Sequence, residues 1–154
     1  MSLFHRSART SPNRDTEPKP QPDRAIPRRP LTEQETCWVR DIVGANPEWA
    51  DVQVGELFAV EECPCGECRS VKLERPLEPQ NPRWAERRHG ENAVLRYGFP
   101  VGTAYVTAAG FGLVGVTLFT DAGYLDWLAV ESYAEGVVPN DIVEVSRRIE
   151  AAEH

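Results

Sequence analysis

The sequence predicts an α+β domain in which an antiparallel sheet of about five to six strands carries an N-terminal and a C-terminal helix on one face. Three observations lead to this fold class. A capped amphipathic helix opens the folded part of the chain, short apolar segments separated by turn residues fill its middle, and a second helical pattern closes it. A parallel doubly wound sheet would need helices between its strands, and the middle of the chain offers none.

The first thirty residues predict a disordered arm that precedes a single domain over residues 31–152. Six of the thirteen prolines fall in this arm, which has almost no apolar side chains to bury. The arm carries seven basic and three acidic side chains, a net charge of +4. Because the whole chain has a net charge of −7, residues 31–154 carry a net charge of −11. An acidic body repels phosphates, which argues against a nucleic-acid partner.

The location predicted from the sequence is the cytoplasm. The chain has no run of about eighteen apolar residues that would span a membrane. Its first fifteen residues lack the apolar centre of a signal peptide. In a reducing compartment, clustered cysteines are reduced thiols or metal ligands more often than disulfides.

The first helix of the domain is predicted to begin after Thr32. Thr32 and Glu35 have the spacing of a capping box, and the apolar residues that follow recur at helical spacing up to Gly44. Asn46 and Pro47 then suit the cap and first position of a short second helix that runs to about residue 52.

Alternating and β-branched segments predict the strands. The expected strands cover residues 57–62, 70–74, 93–97, 103–108, 113–119 and 124–133. Residues 100–102 are predicted to form a turn, and Asp121 and Gly123 favour a tight hairpin turn before the last strand. That last strand is apolar on both faces, which predicts a central position or a bulge.

The C-terminal segment is predicted to be a helix. Asn140 is suited to its cap, and Ile142, Val145 and Ile149 form one apolar stripe at helical spacing.

Three of the four cysteines lie in the stretch ECPCGECRS, residues 62–70, between the first two strands of the domain. Cys63 and Cys65 would face the same way on an extended strand, and Cys65 and Cys68 have the C-x-x-C spacing of a metal-binding turn. Three thiolates can therefore converge on zinc, but a closed zinc site needs a fourth ligand, for which Cys37 and His89 are the candidates.

Two other interpretations of the cluster stay open. The cysteines are thiols that only pack the hairpin, or they form a redox pair. A redox C-x-x-C needs its first cysteine at a helix N-terminus, whereas the residues that follow Cys68 are strand-like.

The long polar connection over residues 75–91 is the candidate surface for a protein partner. It combines one large aromatic residue with a local basic cluster on an acidic body: Arg83, Trp84, Arg87 and Arg88. His89 is the one histidine expected within the folded body, so the sequence assembles no catalytic set. We therefore expect a non-enzymatic interaction module first, a structural zinc-binding protein second, and a thiol-dependent redox sensor or enzyme third.

Three stretches together resemble a family of small bacterial proteins, many of them from actinobacteria, to which no activity is assigned. They are RRPLTEQE, CPCGECRSV and VTLFTDAGYLDWLAVESY, and the likeness extends from residue 28 to about residue 140. The chain departs from the family pattern at Glu67 and in the long connection at residues 75–91. The resemblance implies a cysteine hairpin and a C-terminal hairpin strand, and it implies no mechanism.

Overall fold

The computed structural model describes residues 24–87 and 98–152. This part of the chain forms one antiparallel sheet of seven strands and one α-helix. In chain order the elements are β1 (Arg24–Pro30), α1 (Glu33–Gly44), β2 (Phe58–Glu62), β3 (Val71–Leu73), β4 (Phe99–Ala108), β5 (Gly112–Asp121), β6 (Tyr124–Ser132) and β7 (Glu144–Ala151). Across the sheet their order is β1-β2-β3-β6-β5-β4-β7, which places β6 at the centre.

Helix α1 begins where the capping box predicts. The Thr32 hydroxyl accepts a hydrogen bond from the Glu35 N–H at 3.1 Å, and the Glu35 carboxylate accepts one from the Thr32 N–H at 2.8 Å. The apolar face of α1, which includes Trp38 and Ile42, is buried against β4, β5 and β7. The predicted second helix is shorter than expected, because only Pro47–Trp49 form a single turn of 3-10 helix.

The two predicted hairpins are both present. Strands β2 and β3 pair as an antiparallel hairpin with the cysteines at its tip. At the turn between β5 and β6, Ala122 and Gly123 both have positive φ, 53° and 86°, which matches the backbone twist of a tight hairpin. The residues of β6 from Leu125 to Val130 are all buried, and its pairing with β5 has an irregularity, so both expectations for this strand are confirmed.

The predicted C-terminal helix is wrong. Residues 144–151 are strand β7, which pairs antiparallel with β4 along nearly its whole length. Val145 is 67% exposed, and Ile149 is only half-buried, so the proposed apolar stripe does not exist. The reason is that β4 would otherwise leave a row of backbone N–H and C=O groups unpaired, and a strand satisfies them where a helix cannot.

Two further boundaries differ from the prediction. The predicted disordered arm is wrong for its last seven residues, which form β1 along the edge of β2. Arg28 holds this strand by donating from Nε to both oxygens of Glu74 at 3.0 and 2.8 Å. The predicted turn at residues 100–102 belongs to β4, where a register shift between Pro100 and Gly102 takes its place. The rest of the arm, residues 1–23, and the predicted strand at 93–97 lie outside the described residues.

The core lies between α1 and one face of the sheet, and the segment after β3 closes its end. Trp84 is only 1% exposed and meets Trp49 edge-to-face with ring centroids 5.2 Å apart. In the described ranges, no helix has both the length and the apolar character needed to cross a membrane.

Candidate metal centre

The cysteine hairpin is held in place by hydrogen bonds that three backbone N–H groups donate. The Cys63 N–H donates to the carbonyl of Ser70 at 3.0 Å and so closes the tip. The Val130 N–H of the central strand donates to the Ser70 hydroxyl at 2.9 Å. On the other side, the Val138 N–H donates to the carbonyl of Glu67 at 2.9 Å. The tip is therefore shaped by the surrounding fold.

The three sulfurs of the tip converge, as the sequence predicts. The Sγ atoms of Cys63, Cys65 and Cys68 all lie within 4.8 Å of one another, and those of Cys65 and Cys68 are 3.3 Å apart. All three are free thiols. Tetrahedral zinc with Zn–S bonds of about 2.3 Å separates its sulfurs by about 3.8 Å. The 3.3 Å separation is about 0.5 Å shorter than that value and the other separations are at most 4.8 Å, so a thiophilic ion fits with small side-chain rotations.

Cys65 is the thiol whose anionic form the hairpin favours. Its Sγ accepts hydrogen bonds from the backbone N–H groups of Glu67 and Cys68, both at 3.3 Å. Gly66 makes this turn with a φ of +77°, which other residues adopt only with strain. Burial raises the pKa of Cys65, but the two backbone N–H groups and the neighbouring thiols outweigh it and lower the pKa to about 7.

The pKa of the Cys63 thiol is shifted in the opposite direction to that of Cys65. Burial raises the pKa of its thiol to about 11, and the neighbouring thiols of Cys65 and Cys68 add to the rise. The cluster therefore offers one readily ionised sulfur at neutral pH, while Cys63 must release a proton before it can ligate. With Cys65 ionised and Cys63 protonated, these two sulfurs lie side by side without the repulsion of two full charges.

Neither predicted fourth ligand completes the set within the described residues. Cys37 is half-buried on α1 and lines a separate groove with Glu144 and Arg147. His89 lies outside the described residues. Across residues 24–87 and 98–152, the group close enough to share an ion consists of the three sulfurs alone, without the carboxylates of Glu62 or Glu67.

The comparisons with known proteins return no match to any family model, curated protein or solved structure. The resemblance to a bacterial family therefore stays a prediction.

A cavity of about 310 Å³ opens beside the cluster, and the sequence did not predict it. Cys63 and Cys68 line it from the hairpin, the start of α1 lines it from another side, and residues 139–142 close it. Cys65 and Cys68 line a second, more open concavity together with residues of the segment from Glu131 to Gly136. The only sequence signal for the cavity is Arg69, a cation directly after the C-x-x-C turn.

The residues predicted to contact a protein partner do not form one exposed surface. Trp84 is buried in the core, and the Arg87 guanidinium lies 4.2 Å above its ring. Arg83 is exposed, and Arg88 lies outside the described residues. The hypothesis of a partner surface at residues 75–91 therefore loses its aromatic anchor.

Proposed function

We propose that this protein binds a thiophilic metal ion, with zinc as the first expectation, through Cys63, Cys65 and Cys68. The observation that carries the proposal is the convergence of the three sulfurs within 4.8 Å on a tip where two backbone N–H groups already stabilise one thiolate. Soft sulfur ligands select ions such as Zn²⁺ and Cu⁺ over Mg²⁺ and Ca²⁺.

The ion we propose is exchangeable, which differs from the structural zinc considered from the sequence. Structural zinc sites are closed by four protein ligands, whereas the described residues supply three. The hairpin also keeps its shape through β2–β3 pairing and through its hydrogen bonds to Val130 and Val138, so an ion is not needed to fold it. Cys65 is exposed, which gives an incoming ion or an acceptor direct access. These features favour metal uptake, transfer or sensing.

The first expectation from the sequence, an interaction module, is compatible with metal binding if a partner contacts the bound ion. An ion held by three protein sulfurs has room for one more ligand, and a partner molecule is one source of it. The redox alternative draws on the same two sulfurs of Cys65 and Cys68, and a bound ion would suppress it by occupying both.

Metal content measured on protein purified without chelator tests the proposal. We expect close to one equivalent of zinc per chain, or uptake of one equivalent after dialysis against zinc. Cys65→Ser and Cys68→Ser should each abolish stoichiometric binding, and Cys37→Ser is the matched control that should leave it intact. No metal above background in either preparation, or equal loss in the Cys37→Ser control, would overturn the proposal.

A further inference from the structure

The cavity beside the cysteine hairpin has the dimensions and polarity of a small-molecule site. Its volume of about 310 Å³ lies at the lower end of the range for ligand pockets, and it is close to the volume of ten liquid waters. Two of its wall residues, Cys63 and Cys68, are also proposed metal ligands. A molecule in the cavity would therefore lie next to the bound ion.

Most polar groups of the cavity wall are already engaged with one another. The Arg29 guanidinium donates to both carboxylate oxygens of Glu35 at 2.8 and 3.2 Å, so this ion pair has no net charge. The Gln34 amide donates to the carbonyl of Ile142 at 2.8 Å. The indole N–H of Trp38 donates to the carboxylate of Glu144.

Arg69 is the exception among these groups. In the part of the chain that the structure describes, its Nε is buried without a hydrogen-bond acceptor. A buried guanidinium N–H that has no acceptor is unfavourable, and a carboxylate is its best-matched acceptor. Arg69 is the next residue after Cys68, so the unsatisfied cation and the proposed metal ligands line the same cavity.

We infer that the cavity binds a small-molecule thiol that carries a carboxylate, with the carboxylate on Arg69 and the sulfur as the fourth ligand of the ion. The inference depends on the proposed metal site. A divalent ion with three thiolates has one net negative charge, so an anionic fourth ligand needs a neighbouring cation, and Arg69 supplies it. A soft sulfur donor matches the three sulfurs already present. The S–H bond of the thiol breaks as its sulfur ligates the ion, the proton passes to solvent, and no other bond of the molecule changes.

The test uses the full chain loaded with Co²⁺, which gives visible and near-ultraviolet bands where Zn²⁺ is silent. Three probes are titrated separately: 3-mercaptopropionate, ethanethiol and acetate. We expect 3-mercaptopropionate to raise the sulfur-to-cobalt charge-transfer band at a Kd at least ~10-fold lower than that of ethanethiol, the ratio that one charge-assisted hydrogen bond supplies. Acetate should leave the band unchanged. Cobalt content is measured again after each titration.

Arg69→Gln should remove the preference for 3-mercaptopropionate without changing the cobalt stoichiometry, and Arg69→Lys should restore part of it. Arg40→Gln is the matched control, because Arg40 is an exposed arginine of α1 outside the cavity. Equal affinities of the two thiols, loss of cobalt to the probe, or an equal effect of Arg40→Gln would each overturn the inference. Failure of Co²⁺ to bind at all would instead overturn the proposed metal site. The comparison of the two thiols on the unmodified protein decides the question even if the variants fold poorly.

Discussion

Zinc should stabilise this protein by an amount that follows from its preformed hairpin. Because the tip is already held by hydrogen bonds to Ser70, Val130 and Val138, binding adds to the stability of a folded apo protein. A free zinc concentration of one hundred times the Kd adds at most about 2.7 kcal/mol to the free energy of unfolding. For a chain of this size that corresponds to a rise in Tm of roughly 5–10 °C. Residual binding by cysteines in the unfolded chain reduces the rise below this limit.

Scanning calorimetry with and without zinc measures the effect, and Cys68→Ser is the decisive variant. Cys68 is half-buried and its sulfur lies 3.3 Å from that of Cys65, so we expect its loss to abolish the zinc-dependent rise and to change the apo Tm little. Cys37→Ser should keep the full rise. A zinc-dependent rise that persists in Cys68→Ser would refute the assigned ligands. An apo protein without a cooperative transition would refute the preformed hairpin and point to structural zinc.

Three other measurements test separate parts of the structure. In the presence of chelator, the alkylation rate of Cys65 should reach half its maximum near pH 7, and a midpoint at or above the ordinary value of 9 would contradict the N–H to sulfur bonds. Since this pKa is lowered on folding, the Cys65 thiolate contributes stability above pH 9 that is lost as the pH falls through about 7. Gly123→Ala should lower the free energy of unfolding by at least ~2 kcal/mol, because φ is +86° and the new Cβ would lie 2.3 Å from the Asn81 carbonyl oxygen. Gly66→Ala has positive φ but open space, so calorimetry should show a loss of only about 1 kcal/mol, and equal losses would argue against the contact at Asn81. A chain that starts at residue 31 should melt below one that starts at residue 24, because it lacks β1 and its ion pair with Glu74, and equal Tm values would show that β1 contributes nothing.

The features that the sequence predicted correctly are those stabilised by neighbours a few residues away. The capping box of Thr32 and Glu35 and the turn at Gly123 each form through contacts within a single turn of the chain. The cysteine tip belongs to the same class, since Cys63, Cys65 and Cys68 are brought together by one hairpin. Short-range geometry of this kind is encoded in residue type and spacing alone.

The features that the sequence missed depend on partners far along the chain. Residues 144–151 have helical spacing of apolar side chains, yet the open edge of β4 makes them a strand. The edge of β2 in the same way orders residues 24–30, which have little apolar surface of their own to bury. Trp84 looks like a contact residue on a polar loop until Trp49, 35 positions earlier, packs against its ring.

The sequence by itself therefore determined that three sulfurs meet at one hairpin tip, because that meeting needs only six consecutive residues. Only the tertiary structure decided what surrounds them. It brings the start of α1, the hairpin and residues 139–142 around one cavity, and it leaves the Nε of the half-buried Arg69 without an acceptor in the described ranges. The physical reason is that a cavity and an unsatisfied donor are properties of packing between distant segments, which no local pattern of residues records.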